Sequence, residues 1–414
     1  MAEAKPEPEP RRLRAHKATA TCCITSRDRP GLIATSGEDG RICWFDLRCK
    51  DVQLIIDVGS EPITSLCFKS GTEGVVYVSS GKEVKSFDVH MPTSWKPLES
   101  YNYNKEEINQ IACNSKSSFL ACADDSADVK IIDIRQHCLY KTLRAGHSNI
   151  CSTVQFIPWR PWEVITGGLD SKLVMWDFSK GRSNKIVDFD QKEPCQEWKS
   201  DRHLSVHKLG SFLEFSAMNP VCAEGLPDMN NNNGGQCYNP AFVHAIAVPD
   251  VDMLDKTDKI CVVARGDGAI DVINIESELN TVRSKNSTKA RKGSKSISKD
   301  DIRAVEMENL DQNGGKSLHL DYSLGGHTAA ASCVTFSLFG ERGKCVISGG
   351  NDKSVKVWDC SKFPYAGQTG TNNDLLHMNI NLGRKVNWLC TSPTDSENLV
   401  VCDTSRVVKV YSVS

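Results

Sequence analysis

Short runs of alternating apolar and polar residues cover most of the chain, and turns rich in glycine and aspartate separate them. Residues 146–177 show the pattern most clearly: Gly-His, an alternating run, a polar break, a second run, a Gly-x-Asp turn and a third run that ends in Trp-Asp. Residues 326–359 repeat the same order. Short runs with a period of two predict β-strands, so each stretch is expected to form a unit of three or four strands.

The same unit recurs, with a less regular sequence, elsewhere in the chain. The further copies are residues 32–48, 74–90, 119–135, 259–275 and 399–413. The positions equivalent to the tryptophan are Phe45, Phe87, Ile132 and Trp176 in the first half, and they lie 42, 45 and 44 residues apart. A repeat of this period predicts the blades of a β-propeller, and seven units predict an all-β, seven-bladed propeller.

Two gaps interrupt the repeat. The equivalent positions Ile273 and Trp358 follow after 97 and 85 residues, about twice the usual spacing. Composition favours insertions over hidden blades, because the first gap shows little alternation and contains an asparagine run, and the second is basic and rich in serine. We therefore predict two long loop insertions, at about residues 178–240 and 277–316.

The last unit ends at a third strand and lacks a fourth. An open sheet edge would remain there, and a propeller removes such edges by joining its first and last blades. Residues 11–15, Arg-Arg-Leu-Arg-Ala, precede the first unit and are expected to supply the missing strand. The propeller is thus predicted to occupy residues 11–414, after a disordered tail over residues 1–10.

Each of the two regular units places a histidine, a hydroxyl residue, an aspartate and a tryptophan where they can form one chain of hydrogen bonds. The two predicted tetrads are His147, Thr166, Asp170 and Trp176, and His327, Ser348, Asp352 and Trp358. The aspartate would fix the imidazole tautomer, and the buried indole N–H needs an acceptor. A Ser-His-Asp set also occurs in hydrolases, but this set recurs with the blade period and lacks a Gly-x-Ser-x-Gly elbow. We interpret it as a structural brace and predict no catalytic residues.

Composition excludes several classes of function. The chain has 414 residues and a formal net charge of −2, which gives no overall attraction to nucleic acid or to an acidic membrane surface. It has no run of about eighteen apolar residues and no apolar secretory segment at its start, so an intracellular protein of the nucleus or cytoplasm is expected. The 18 cysteines lack paired spacing, which favours reduced structural thiols over disulfides or a zinc site. No cofactor is expected.

Three smaller motifs allow more than one interpretation. His203 and His207 lie four residues apart but lack a third ligand, so they do not predict a metal site. A basic run is either a nuclear import signal or a solvated loop, and it lacks the aromatic residues of a nucleic-acid-binding arm; its cations are Lys285, Lys289, Arg291, Lys292, Lys295 and Lys299. Trp159 and Trp162 flank a turn, either as exposed anchors for a partner or as core packing.

These units resemble the repeats of the WD-repeat family, and the resemblance covers roughly residues 16–414. Three longer blocks, which begin at Asn104, His147 and Gly383, resemble a narrower group within that family. The resemblance implies a substrate receptor of a cullin-4 ubiquitin ligase, which binds the adaptor damaged-DNA-binding protein 1 and an unidentified target protein. The long insertions take no part in the resemblance.

Receptors of that type carry Asp-x-Arg just after the third strand of a blade, and this motif occurs here at residues 46–48 and 133–135. Because third strands end on one face of a propeller, both arginines are expected on a common rim, where a guanidinium makes bidentate bonds to a partner. The preceding aspartate is expected to brace the turn. The resemblance therefore implies adaptor-binding residues Asp46, Arg48, Asp133 and Arg135.

The alternative is a stand-alone WD-repeat scaffold that assembles a nuclear or cytoplasmic complex without a link to a ubiquitin ligase. In either case the sequence predicts a monomeric propeller that binds proteins and that associates with neither membranes nor nucleic acid.

Overall fold

Antiparallel strand pairing organises most of the described chain. The computed structural model describes residues 9–90, 96–116, 118–190, 239–281, 317–363 and 375–413. Within these residues, 28 strands pair into seven sheets of four strands each, so the predicted all-β, seven-bladed propeller is confirmed. The first strands of successive blades contact one another around a closed ring, which places them at the central channel.

The first four blades use their strands in chain order. Blade 1 contains β2 (Ala20–Thr25), β3 (Leu32–Gly37), β4 (Arg41–Asp46) and β5 (Val52–Asp57). Blade 2 contains β6 (Ile63–Phe68), β7 (Val75–Ser80), β8 (Glu83–Asp88) and β9 (Glu99–Tyr101). Blade 3 contains β10 (Ile108–Cys113), β11 (Phe119–Asp124), β12 (Val129–Asp133) and β13 (Cys138–Leu143). Blade 4 contains β14 (Cys151–Phe156), β15 (Glu163–Gly168), β16 (Lys172–Asp177) and β17 (Arg182–Asp188).

Blades 5 and 6 follow the same rule, and blade 7 departs from it. Blade 5 contains β18 (Val243–Ala247), β19 (Ile260–Arg265), β20 (Ile270–Asn274) and β21 (Leu318–Leu320). Blade 6 contains β22 (Ala331–Phe336), β23 (Cys345–Gly350), β24 (Ser354–Asp359) and β25 (Leu376–Asn381). Blade 7 contains β26 (Val386–Thr391), β27 (Leu399–Asp403), β28 (Val407–Tyr411) and, as its fourth strand, β1 (Arg11–Arg14).

The strand β1 closes the ring. It pairs antiparallel with β28, from Arg11 opposite Val410 to Arg14 opposite Val407. Its one apolar side chain, Leu13, is 4% exposed. The predicted closing strand is therefore confirmed, and the open edge of blade 7 is covered by the other end of the chain.

The described ends of the two predicted insertions belong to the propeller. The strand β17 lies within residues 178–240, so the prediction that the first insertion begins at about residue 178 is wrong. The sequence pattern does not reveal this outer strand, because its side chains are exposed or half-buried along its whole length and do not alternate between buried and exposed positions. Residues 275–281 continue blade 5 as helical backbone. The rest of the two predicted insertions, residues 191–238 and 282–316, lies outside the described residues.

Two faces of the propeller differ in the connections that they carry. On one face, first-to-second and third-to-fourth strand connections meet: the Leu47 N–H bonds to the Gly31 carbonyl at 2.9 Å, and the Phe178 N–H bonds to the Trp162 carbonyl at 3.0 Å. We call it the corner face. The opposite face, which we call the brace face, carries the second-to-third turns and the connections between blades, where the Glu38 N–H bonds to the Thr19 carbonyl at 2.9 Å.

The channel opens on the corner face as a cavity of about 560 Å³. The first-to-second connection of blade 5 lies at this mouth and contains a 3-10 turn (Val251–Met253) and one helical turn, α1 (Leu254–Thr257). Arg27 of blade 1 forms an ion pair with Asp250 of this connection. No helix in the described part of the chain is long and apolar enough to cross a membrane.

Apolar side chains between neighbouring blades form the core. Between blades 3 and 4, for example, Ala121, Ile131, Val154 and Val174 are fully buried in one cluster. Burying one side chain of the size of valine or isoleucine contributes roughly 1.5–3 kcal/mol to stability. Packing between neighbouring blades therefore stabilises the ring.

Candidate protein-interaction surface

Blade 4 contains a continuous chain of hydrogen bonds on the brace face. His147 Nδ1 lies 3.0 Å from Asp170 Oδ1, and His147 Nε2 lies 2.8 Å from Thr166 Oγ1. Trp176 Nε1 donates to the same Thr166 hydroxyl at 2.9 Å. An imidazole that donates from Nδ1 to the carboxylate and accepts at Nε2 from the hydroxyl satisfies every polar group in this set. The chain of bonds holds the entry into the blade against its second-to-third turn.

Blade 6 repeats the arrangement around His327. Its Nδ1 lies 3.0 Å from Asp352 Oδ1, its Nε2 lies 2.8 Å from Ser348 Oγ, and Trp358 donates to Ser348 at 3.0 Å. Burial lowers the pKa of His327. Burial alone would raise the pKa of Asp352, but hydrogen bonds, first of all from His327, lower it to about 2. Ser348 is 0% exposed, so its hydroxyl is inaccessible to a substrate and serves as a link in the brace.

Blade 1 has a third brace, which the sequence reasoning missed. His16 Nε2 lies 2.8 Å from Thr35 Oγ1, and His16 Nδ1 lies 3.1 Å from Asp39 Oδ1. The sequence separations, 19 and 23 residues, equal those in blade 4. Phe45 occupies the position of the tryptophan and has no N–H to donate. The histidine-to-aspartate spacing was the signal that would have identified this brace without its tryptophan.

The corner of blade 1 turns the chain from β4 to β5 on the corner face. Asp46 Oδ1 accepts the backbone N–H of Arg48 at 2.9 Å, which braces the turn. The Arg48 guanidinium folds back onto the same carboxylate, with Nε 2.9 Å from Oδ1 and Nη2 2.7 Å from Oδ2. The hydrogen bond from Arg48 lowers the pKa of Asp46. The Arg48 side chain is 74% exposed, but its guanidinium already binds the carboxylate of Asp46.

The corner of blade 3 has the same backbone turn and a different arginine. Asp133 Oδ1 accepts the N–H groups of Arg135 and Gln136, each at 2.9 Å. Arg135 is exposed, and within the described part of the chain no hydrogen bond or ion pair engages its guanidinium. Among the residues that the structure covers, its donors therefore have no internal bond to lose when a partner binds.

The corner of blade 2 lies between these two corners. There Asp88 Oδ1 accepts the N–H of His90 at 2.8 Å, and in blade 6 Asp359 accepts the N–H of Ser361 at 3.0 Å. An aspartate at the end of the third strand is thus a general brace of these turns. The arginine two residues later sets blades 1 and 3 apart from blades 2 and 6.

Comparison with known proteins agrees with the repeats and with the fold. Residues 137–177 and 319–359 match the family model of the WD domain, G-beta repeat. The chain carries WD40 repeats. This WD40 chain is 25% identical over 414 residues to the WD repeat-containing protein 53 homolog of Dictyostelium discoideum, and the alignment covers 97% of this chain and 94% of that protein. The blocks at Asn104, His147 and Gly383 predict a resemblance to WD repeat-containing protein 53, and that resemblance is confirmed.

The fold of this WD40 chain is also that of a solved propeller. The WD40 β-propeller domain of Doa1 superimposes with a TM-score of 0.62 at 11% identity, covering 98% of this chain and 96% of that domain. At this identity the likeness shows the fold alone.

In this WD40 chain the sequence repeat and the structural blade are out of phase by one strand. The first matched stretch begins at residue 137, just before the outer strand β13 of blade 3, and ends at residue 177 with β16 of blade 4. Each repeat therefore supplies the fourth strand of one blade and the first three of the next. The same offset places β1 in blade 7 and links every pair of neighbours in the ring.

Trp159 and Trp162, which flank the turn between β14 and β15, have different roles. Trp159 Nε1 donates to Glu276 at 3.2 Å, and its ring packs against the core between blades 4 and 5. Trp162 is 46% exposed. Trp159 therefore packs in the core, whereas Trp162 is exposed enough to contact a partner.

The remaining residues that the sequence singles out do not form a further site in the described part of the chain. His203, His207 and the basic run over residues 285–299 lie outside the described residues. The described cysteines are all free, and burial raises the pKa of the Cys43 thiol to about 12. In the ranges that the structure covers, no group of three His, Cys, Asp or Glu side chains is placed to hold a metal ion.

Proposed function

We propose that this WD40 propeller, a scaffold for protein interaction, is the substrate receptor of a cullin-4 RING ubiquitin ligase, and that its corner face binds the adaptor damaged-DNA-binding protein 1. The observation that carries the proposal is the pair of Asp-x-Arg corners at residues 46–48 and 133–135, which follow the third strands of blades 1 and 3 on one face. The resemblance of the sequence to receptors of this type supports the proposal.

The proposed residues divide the work within each corner. Asp46 and Asp133 accept the backbone N–H two residues ahead and so fix the direction in which each arginine leaves the turn. Arg48 and Arg135 then present guanidinium donors to carboxylate or carbonyl acceptors of the adaptor. The propeller itself performs no chemistry in this role. It holds the adaptor on one face, and the rest of its surface is available for the target protein.

The test is the double variant Arg48→Ala with Arg135→Ala, measured for binding to the purified adaptor. A hydrogen bond to a charged group contributes roughly 1.5–3 kcal/mol. Loss of both arginines should therefore weaken binding by roughly a hundredfold or more, because each corner loses its donors while its turn stays braced. Biolayer interferometry measures the dissociation constant, and circular dichroism verifies the fold.

A matched control is Arg144→Ala with Arg384→Ala. Both arginines are exposed and lie in connections between blades, so they are on the brace face. This control should bind the adaptor like the unmodified protein. Unchanged binding by the Arg48 and Arg135 variant would refute the assignment of these residues. A folded, unmodified protein without any affinity for the adaptor would instead support a WD40 scaffold without a ligase link.

A further inference from the structure

An exposed aromatic cluster lies on the corner face where blades 3 and 4 meet. We call it the aromatic patch, and its rings belong to Phe119, Tyr140, Phe156, Trp162 and Phe178. Phe178 is fully buried at its base. Two rings reach the surface: Trp162 is 46% exposed and Tyr140 is 37% exposed. Large aromatic side chains that remain exposed on a folded domain are typical of binding sites.

Ring contacts hold the exposed side chains in place. The Trp162 ring centroid lies 5.6 Å from that of Phe119 and 5.5 Å from that of Phe178. The Tyr140 centroid lies 5.1 Å from that of Phe119. Lys141 Nζ donates to the Ser179 carbonyl of the next blade at 2.9 Å, beside the Tyr140 ring. Because blade packing already orders these rings, they lose little further side-chain entropy when a partner binds.

The aromatic patch adjoins the corner that carries Arg135. Phe119 stands opposite Asp133 in the sheet of blade 3, and the Ile134 N–H bonds to the Ser118 carbonyl at 3.0 Å. Arg135, whose guanidinium has no bonded partner among the described residues, therefore leaves its turn next to the aromatic patch. In blade 1 the arginine is bound to Asp46, and the neighbouring carbonyls of Leu47 and Cys49 accept bonds from Arg11 of the closing strand.

Charged groups of both signs border the patch, and the cations outnumber the carboxylates. Four cations lie in or next to the connections between the third and fourth strands of blades 3 and 4: Arg135, Lys141, Lys180 and Arg182. The carboxylates here are already engaged. Asp133 and Asp177 accept hydrogen bonds from their own turns, and Asp177 also pairs with Lys180 at 2.9 Å. Glu163, beside Trp162, pairs with Arg160 at 2.9 Å. A partner that covers this surface would therefore need carboxylates at its rim and an apolar side chain at its centre.

We propose that the aromatic patch together with Arg135 is the main anchor of the adaptor, and that it receives an acidic segment of the adaptor with an apolar side chain against Trp162 and Tyr140. This inference rests on the proposed function. The blade 3 corner is accordingly expected to contribute most of the binding free energy, and the Arg48 corner is expected to contribute less.

The experiment measures the affinity of the purified adaptor for three single variants, Trp162→Ala, Tyr140→Ala and Arg135→Ala, beside Arg48→Ala. Each of the first three should raise the dissociation constant roughly tenfold or more, as truncation of a central anchor does. Arg48→Ala should raise it less than Arg135→Ala. The matched control is Tyr322→Ala, because Tyr322 is also 46% exposed and lies in a connection between blades on the brace face.

The outcomes separate the two proposals. If the unmodified protein binds the adaptor and both Trp162→Ala and Tyr140→Ala stay within about twofold of it, the aromatic patch is not the anchor and the proposed function stands. If the folded, unmodified protein shows no binding, both proposals are overturned. Raising the salt concentration should weaken the unmodified complex more than the Arg135→Ala complex, and an equal salt dependence would contradict the acidic character assigned to the adaptor segment.

Discussion

Blades 1 and 4 carry the same polar brace with one difference. In both, a histidine joins a threonine hydroxyl at 2.8 Å and an aspartate at 3.0–3.1 Å. Blade 4 adds the indole N–H of Trp176, whereas blade 1 has Phe45. The family model matches the repeat of blade 4 and does not extend to blade 1. The sequence signature by which a repeat is recognised is therefore separable from the hydrogen bonds that hold the blade together.

The largest effect is expected from removing the closing strand beside the blade 1 brace. Deletion of residues 1–18 removes β1 with its buried Leu13 and also removes His16. Loss of one buried leucine and of several strand hydrogen bonds should cost about 5 kcal/mol. Thermal denaturation followed by circular dichroism should show a clearly lower midpoint.

Two shorter deletions separate the contributions. A chain that lacks residues 1–8 keeps β1 and should melt like the full chain, whereas a chain that lacks residues 1–15 loses the strand but keeps His16. An unchanged melting temperature for the longer deletions would show that β1 does not contribute to closure.

The second prediction exchanges the aromatic residues of the two blades. A Cβ atom at Gly146 would lie 2.2 Å from Trp176 Cζ2. Blade 1 has Ala15 at the equivalent position before its histidine, and its Phe45 lacks the second ring. Gly146→Ala should therefore cost about 1–3 kcal/mol by overpacking, and the cost should shrink when Trp176→Phe is also present. Chemical unfolding of the double-mutant cycle measures this coupling.

The reciprocal change in blade 1 gives the control. Phe45→Trp should destabilise the protein on its own and should do so less when Ala15→Gly accompanies it. Strictly additive costs in both blades would show that the residue before the histidine does not determine which aromatic side chain fits.

The smallest expected effect concerns protonation of the braces. Burial lowers the pKa of His16 and of His327 below the ordinary value of 6.5. Below pH 6.5 the unfolded chain gains protons that the folded chain does not, so stability should fall as the pH decreases through that value. Asp352, with a pKa of about 2 in place of 3.8, should add a further loss between these two pH values.

Melting temperatures from pH 7.5 to pH 5 test the histidine contribution. His16→Gln should give a flatter profile than the unmodified protein, at a lower overall stability. A profile that is flat for the unmodified protein would mean that the folded braces accept a proton as readily as the unfolded chain does.

The sequence predicted the fold in most respects, because strand alternation and repeat spacing are local properties. It also predicted β1 from the need to cover a sheet edge. It does not predict β17, which is an outer strand without a buried face, or the His16 brace, which lacks the tryptophan that marks the other two. Arg48 adopts a side-chain rotamer that bonds to Asp46, and the spacing of residues along the sequence does not predict this rotamer. The exposure of Trp162 depends on Phe119 and Tyr140 of another blade, so it required the three-dimensional arrangement.

Closure by β1 also sets an order of events during synthesis. Arg11 lies opposite Val410, so β1 must wait until β28, about 400 residues later in the chain, has been synthesised. At about 5–20 residues per second, the wait lasts roughly 20–80 s. During that time the nascent chain exposes Leu13 and an unpaired strand, which are features that chaperones bind and that promote aggregation. A chain whose translation stops before residue 407 would keep this open edge permanently and would be a substrate for quality control.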